Sequence, residues 1–369
     1  LLGSLISVNN QFFMRLYALL VFSALVLAGC GGGGDDDPEV LAPANLSIQV
    51  EKEDGNTGRV TVTATAENAT GYKVQFGYYT PDGSVTATNG SASFVYPFSG
   101  TYTIKVTATG ASNTPSISTT QDVTVTREYT GATSPETYDG MDLVWADEFN
   151  DASINTSNWS FETGNGSGGW GNNELEYYTS ANTSLKDGNL VITAKNDGMG
   201  GYAYTSSRIV TKDKKEFLFG RVDIRAVLPQ GQGIWPALWA LGANIDDVGW
   251  PSCGEIDIME MVGGGGKEKT VHGTAHWQDV AGYANFGGHK DLASGTFADQ
   301  YHVFSIVWDA DFIIWYVDNV EYHRIDISPA DNPSRLDEFR AAQFFIFNVA
   351  VGGNWPQAPD ATTKFPRSE

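Results

Sequence analysis

A chain of 369 residues with 41% hydrophobic and 12% aromatic residues is long enough for two domains and too polar to cross a membrane many times. Its formal charge of −22, from 22 Lys and Arg against 44 Asp and Glu, excludes nucleic acid as a partner, because a phosphate-binding surface needs clustered cations. The same charge suits an exported, soluble protein, expected to act as a monomer, although acidity also serves solubility whatever the function.

From Met14 the order Met14-Arg15-Leu16, an apolar stretch Tyr17 to Leu27 and then Ala28-Gly29-Cys30 reads as a signal peptide: a positive start, an apolar run too short to be a permanent span, and small residues at a cleavage point. The thirteen residues before Met14 read as translated upstream sequence. Leu27-Ala28-Gly29-Cys30 resembles the bacterial lipobox, which implies that Cys30 becomes a lipid-bearing mature N-terminus, so that the protein touches the membrane only through this anchor. Gly at position 31, rather than Asp, directs such a lipoprotein to the outer membrane. An ordinary secreted protein is the alternative. Residues 31–43, with Gly31 to Gly34 and Asp35 to Asp37, form a hydrated tether, since neither glycine nor a like-charge run buries apolar surface. The second cysteine is Cys253. With Cys30 lipidated no internal disulfide is expected, and two Cys with five scattered His give no zinc spacing.

Residues 44–127 read as short alternating strands, for example Arg59 to Thr65 and Thr101 to Thr107, with β-branched residues at every second position and Gly, Asn and Pro between runs. That pattern predicts a small β-sandwich, and Tyr96-Pro97-Phe98-Ser99-Gly100-Thr101-Tyr102 is similar to immunoglobulin-like modules of the polycystic-kidney-disease type. It holds no convergent carboxylate pair and reads as a spacer, with a sugar-binding module as the alternative. Residues 128–142, rich in Thr, Gly, Ser and Pro, form a linker. From Leu143 to the end strand-like runs recur, among them Leu190 to Lys195, Gly220 to Val227, Val303 to Trp308, Ile313 to Asp318 and Phe344 to Val351. With no helix-period segment of useful length, the expectation is an all-β, two-sheet sandwich.

Within it, Gly254-Glu255-Ile256-Asp257-Ile258-Met259-Glu260-Met261 alternates acids with apolar residues. On a strand, Glu255 and Asp257 share a face while Ile256 and Ile258 enter the core. Glu260 has the wrong parity, and a β-bulge near Met259 would return it to the acidic face. Glu255 and Glu260 are then four strand steps, about 13 Å, apart at Cα. Side chains leaning together close that to about 5–6 Å, the separation of a retaining glycosidase pair. Crowding three acids raises at least one pKa, which suits Glu260 as acid and base, Glu255 as nucleophile and Asp257 as their hydrogen-bonding partner. A calcium-binding or merely solvated acidic strand is the alternative.

At these residues the chain resembles glycoside hydrolase family 16, and within it the laminarinase-like endo-β-1,3-glucanases, whose active-site strand has the Glu-x-Asp-x-x-Glu form. Trp145 to Phe149, Trp170 to Tyr178, Tyr204 to Ile209, Gly233 to Trp239, His272 to Trp277 and Asn348 to Pro356 match further family segments in order. The resemblance implies a concanavalin-like jelly-roll catalytic domain over residues 143–369 and double displacement on an internal β-linkage without an organic cofactor. It implies a cleft containing Asn173, Arg208, Trp235, Trp239, Trp250 and His276. Indole faces stack on pyranose C–H faces, and Asn, Arg and His bond hydroxyls. Taken singly each Trp could equally be core, although Trp235 and Trp239 could share a face. His276 could be a satisfied structural histidine, and Glu174 either a sugar ligand or a loop residue. Many members hold a structural calcium through main-chain oxygens like those of Glu148 and Gly188. Their closing Asp-bearing strand is not found before Glu369, which predicts an unpaired sheet edge. Cys253 reads as a small buried residue. Mixed-linkage β-1,3-1,4-glucan and algal galactan are alternative substrates, sulfated galactans being disfavoured by the few cations. A non-catalytic glucan-binding lipoprotein is the alternative from another class.

Overall fold

The computed structural model describes residues 41–78, 84–111, 115–329 and 336–368. The expected signal peptide and Cys30 lie outside these residues, as does most of the tether.

Seven strands come first: β1 (Ala44–Lys52), β2 (Arg59–Glu67), β3 (Gly71–Gln75), β4 (Ser84–Ala87), β5 (Ser91–Val95), β6 (Gly100–Thr109) and β7 (Ile117–Val125). They form two antiparallel sheets, β1-β2-β5 and β4-β3-β6-β7. Alternate residues face inward, so Val60, Val62, Val74, Ile104 and Val106 meet in one core with Phe76 and Tyr96. Two tyrosines fasten it, Tyr96 donating to the Phe76 carbonyl at 2.7 Å and Tyr102 to the Phe98 carbonyl at 2.8 Å.

The connecting segment is not loose. Gly131 bridges Tyr301, Arg225 donates to the Ala132 carbonyl at 2.8 Å, and the hydroxyls of Ser134 and Tyr138 both donate to Asp223. Polar side chains that read as linker composition are here the donors that fasten a strap to the next sandwich.

Sixteen further strands follow: β8 (Ser160–Glu162), β9 (Glu176–Tyr178), β10 (Thr183–Lys186), β11 (Asn189–Ala194), β12 (Tyr204–Ser206), β13 (Arg208–Val210), β14 (Gly220–Ala226) and β15 (Ile234–Gly242), then β16 (Glu255–Glu260), β17 (Thr270–Asp279), β18 (Gly282–Asp291), β19 (His302–Trp308), β20 (Phe312–Val317), β21 (Val320–Asp326), β22 (Gln343–Val351) and β23 (Arg367–Ser368). The fold is all-β. A seven-stranded sheet in the order β18-β17-β16-β15-β22-β13-β8 packs on the four-stranded sheet β14-β19-β20-β21. Between them lie Ile234, Leu238 and Ala240 of β15, Ile256 and Ile258 of β16, Phe345, Phe347 and Val349 of β22, and Phe304, Ile306, Ile313 and Trp315 from the opposite sheet. Such alternation leaves Trp235, Trp239 and the acids of β16 on the other face of the large sheet. Cys253 is buried in a satellite cluster with Leu241 and Phe344, and burial pushes its thiol up to about 11, so it is no thiolate nucleophile at neutral pH.

Candidate active site

Strand β16, between β17 and β15, is bulged. Against β15, Asp257 pairs with Trp239 and Met259 with Leu238, which leaves Ile258 as the extra residue. Against β17, Asp257 pairs with Thr274 and Glu260 with His272, three steps matched by two. Ile258 and Met259 therefore both enter the core, and Glu260 emerges on the side of Glu255 and Asp257.

Each acid has its own partner. Trp250 Nε1 donates to Glu255 Oε2 at 3.0 Å, Trp235 Nε1 to Glu260 Oε1 at 3.0 Å, and His276 Nε2 lies 2.9 Å from Asp257 Oδ2 and 3.7 Å from Glu255 Oε1. Beneath them, Trp315 of β20 donates its Nε1–H to the Asp257 carbonyl at 2.8 Å, tying the bulge to the opposite sheet. Burial holds all three carboxyls above the ordinary carboxylate range. Glu255 is pushed up to about 8 by burial and then by Asp257, against the lowering influence of His276, Trp250 and Arg208. Burial also raises Asp257. Glu260 lies well above its usual value through burial and the charges of both neighbours. Burial thus raises Glu255 and Glu260 alike, and Glu255 has Arg208 as well as His276 among its cationic neighbours.

The remaining expected cleft residues divide by role. Trp235 and Trp239 do share the cleft face of β15, both partly exposed, and Trp239 donates to Asn348 Oδ1 at 2.7 Å. Trp250 is 51% exposed, which leaves its ring free to stack. Arg208 is 7% exposed, is ion-paired with Glu162 and has its guanidinium 4.4 Å from the Trp170 ring and 4.8 Å from the Trp239 ring. It is a wall component whose charge reaches Glu255 and whose Nε is ion-paired with Glu162. Asn173, in the left-handed region at φ 58°, donates to Asn354 Oδ1 at 2.8 Å and stands exposed at the rim. Glu174 is buried, accepting from Asn172 at 3.1 Å and from the Tyr178 hydroxyl at 3.1 Å. The network continues through Asn348, which donates to Tyr178 at 3.0 Å.

Sequence reasoning missed several participants. Trp355 meets Trp235 edge-on at 5.6 Å and His272 at 5.0 Å, extending the aromatic wall past Glu260. Tyr283 bonds His276 Nδ1 at 2.7 Å and packs 5.2 Å from Trp250. Trp355 lies in the matched segment Asn348 to Pro356, whereas Tyr283 carries no sequence signal. Glu255, Asp257 and His276 are also the one group of potential metal ligands among the described residues. Their pairing with Trp250 and with one another accounts for their proximity.

Known proteins match this second sandwich. The chain is 38% identical over 224 residues to the clotting factor G alpha subunit of Tachypleus tridentatus, covering 61% of this chain and 32% of that protein. It is 37% identical over 264 residues to glucan endo-1,3-beta-glucosidase A1 of Niallia circulans, covering 65% and 37%. It thus spans about a third of the length of these two relatives. Among solved structures, the laminarinase catalytic domain from Thermotoga maritima is 45% identical with a TM-score of 0.56, over 62% of this chain and 94% of that one. The laminarinase from Rhodothermus marinus is 36% identical with a TM-score of 0.56, over 62% and 93%. Residues 171–365, more than half of the chain and the stretch that carries β16 with its three acids, match the glycosyl hydrolases family 16, to which this chain belongs.

Proposed function

We propose that the protein is a retaining endo-β-1,3-glucanase of laminarin-type glucan. The observation that carries this reading is the bulge in β16, which sets Glu255 and Glu260 on one face between Trp250 and Trp235. Glu255 attacks the anomeric carbon while Glu260 protonates the leaving oxygen. Glu260, now ionised, then takes a proton from the water that releases the glycosyl-enzyme. Asp257, held by His276, sits beside Glu255 and raises its carboxyl. Members of the family need no cofactor for this chemistry. The β-1,3-glucan preference is supported by the relatives from Niallia and Thermotoga, named for that linkage or for laminarin.

Further parts of the reading extend past the catalytic sandwich. The seven-stranded N-terminal unit is an immunoglobulin-like spacer, supported by its two packed antiparallel sheets and by Tyr102 bonding back to the Phe98 carbonyl four residues upstream. The protein is monomeric, exported, and anchored to the outer membrane through Cys30. A structural calcium is supported by the neighbourhood of Glu148 and Gly188. A Cβ on Gly188 would stand 3.0 Å from Asn150 Oδ1, so the segment bearing Glu148 lies against the Gly188 turn, where hard oxygen donors suit Ca2+. It would hold that edge of the sandwich.

The test is digestion of laminarin, lichenan, agarose and carrageenan with product analysis, and of laminarin with NMR of the first anomer released. Laminarin cleaved with the β-anomer appearing first is expected, and Glu255→Ser loses turnover by about 10³-fold or more while still holding laminarin. Initial release of the α-anomer, or a Glu255→Ser protein as active as its parent, defeats the assignment; a parent that only binds laminarin makes it a glucan-binding protein.

A further inference from the structure

His276 touches two of the three acids, so the position of its proton matters to the charge of the whole cluster. The groups that face it are Glu255 and Asp257 from β16 and Tyr283 from β18, and the Arg208 charge reaches the cluster through Glu255. On β18, Tyr283 and Asn285 are two residues apart and share a face, and His276 lies opposite Asn285 in the β17–β18 register. Asn285 Nδ2 lies 3.0 Å from the Tyr283 hydroxyl, whose oxygen lies 2.7 Å from His276 Nδ1.

The first link of this chain narrows its direction. An amide nitrogen only donates, so one lone pair of the Tyr283 oxygen is taken by Asn285. The phenolic proton is then free for the nearest acceptor, Nδ1. A neutral imidazole that accepts at Nδ1 carries its proton at Nε2, and Nε2 is the atom 2.9 Å from Asp257 Oδ2. In the opposite tautomer the Nε2 lone pair would face Asp257 Oδ2, which could bond it only by carrying a proton itself.

We propose that Tyr283 and Asn285 are positioning residues that fix His276 as its Nε2–H tautomer, aimed at Asp257 and at the nucleophile Glu255. This rests on the hydrolase reading for its catalytic consequence but not for its geometry. The pair acts from an exposed hairpin rather than from the catalytic strand, and it holds Glu255 indirectly. Tyr283 also leans on Trp250, the other partner of Glu255, so a single side chain braces both contacts of the nucleophile.

Tyr283→Phe removes the hydroxyl and keeps the ring against Trp250 and His276, which separates relay from packing. On laminarin, kcat is expected to fall about tenfold with KM within about twofold, and the acidic limb of the kcat–pH profile is displaced. Asn285→Ala moves both in the same direction by less. Long-range proton–nitrogen NMR of the five histidines gives a readout independent of turnover: in the neutral imidazole of the parent the proton is expected on Nε2 and not on Nδ1, and the Nδ1 signal is expected to shift in Tyr283→Phe. A Tyr283→Phe profile superimposed on that of the parent, or a proton on Nδ1 in the parent, overturns the proposal. A parent that hydrolyses no β-glucan defeats the hydrolase reading instead, and the nitrogen spectra still decide the tautomer.

Discussion

Glu255 is buried beside two other acids, and the cost of that placement is measurable as a pH dependence of stability. Its carboxyl is raised to about 8 in the folded protein, chiefly by burial. In the unfolded chain it returns to the ordinary carboxylate range near 4.3. Between those values the folded state holds a proton that the unfolded state has released, so this group's contribution to stability is full below the lower value and is lost as pH rises through the upper one. Glu255→Gln cannot ionise and escapes the loss. Its Tm relative to the parent should therefore climb from pH 5 to pH 9, while activity disappears at both. A difference in Tm that is the same at the two pH values would mean that Glu255 is ordinarily acidic in the fold, and its assigned environment would be wrong. Much of this residue-level chemistry was readable in advance, because Glu255, Asp257 and Glu260 lie within six positions on one strand and their parity mismatch itself demands a bulge. Tyr283 was not readable: it is seven residues from His276 across a hairpin, and an isolated Tyr on an exposed strand looks like any other.

At the scale of elements, the bulge is held from below as well as from its neighbours. Gly273 sits on β17 between Thr274 and His272, which pair with Asp257 and Glu260, so it lies directly opposite Ile258 and Met259 in the bulge of β16. A Cβ there would come within 2.4 Å of both Trp315 Cδ1 and the Tyr322 hydroxyl. Its partner across the β17–β18 register, Gly288, has the same relation to the His323 ring, at 2.5 Å. These two facing glycines let aromatic rings of β20 and β21 press against the active-site sheet, and Trp315 then reaches the Asp257 carbonyl. Gly273→Ala should cost about 1–3 kcal/mol by overpacking a closed contact, and should also lower kcat because the ring displaced is the one that ties down the bulge. Urea denaturation with parallel kinetics checks it; unchanged stability with unchanged kcat would show that Trp315 can retreat without moving β16. The strands themselves were legible from alternation, the observed bounds of β19, β20 and β22 lying within a residue of the apolar runs. Which glycine takes a ring from the opposite sheet was not, since a Gly in a strand marks close approach without naming its partner.

For the whole molecule, the question is whether one cooperative structure or two carry these parts. The core around Val62, Val74 and Ile104 shares no residue with the core around Ile256, Trp315 and Phe347. The composition of residues 128–142 reads as a linker but does not say what it bonds to, because Ser, Thr and Gly have the same composition whether they bond to water or to a neighbouring sheet. The segment fastens to Asp223 and Arg225 of β14, on the sheet away from the acids, and so joins the catalytic sandwich without touching its cleft. Separate cores with a strap bonded to one of them should melt separately. Ile104 is fully buried, and Ile104→Ala removes methylenes from the first core alone, at a cost of about 2–5 kcal/mol. Calorimetry of the variant should show one transition moved down and the other in place, with laminarin hydrolysis unchanged at temperatures between the two. If both transitions fall together, or turnover falls with the first, the N-terminal sandwich is a working part of the catalytic unit, and its reading as a spacer fails.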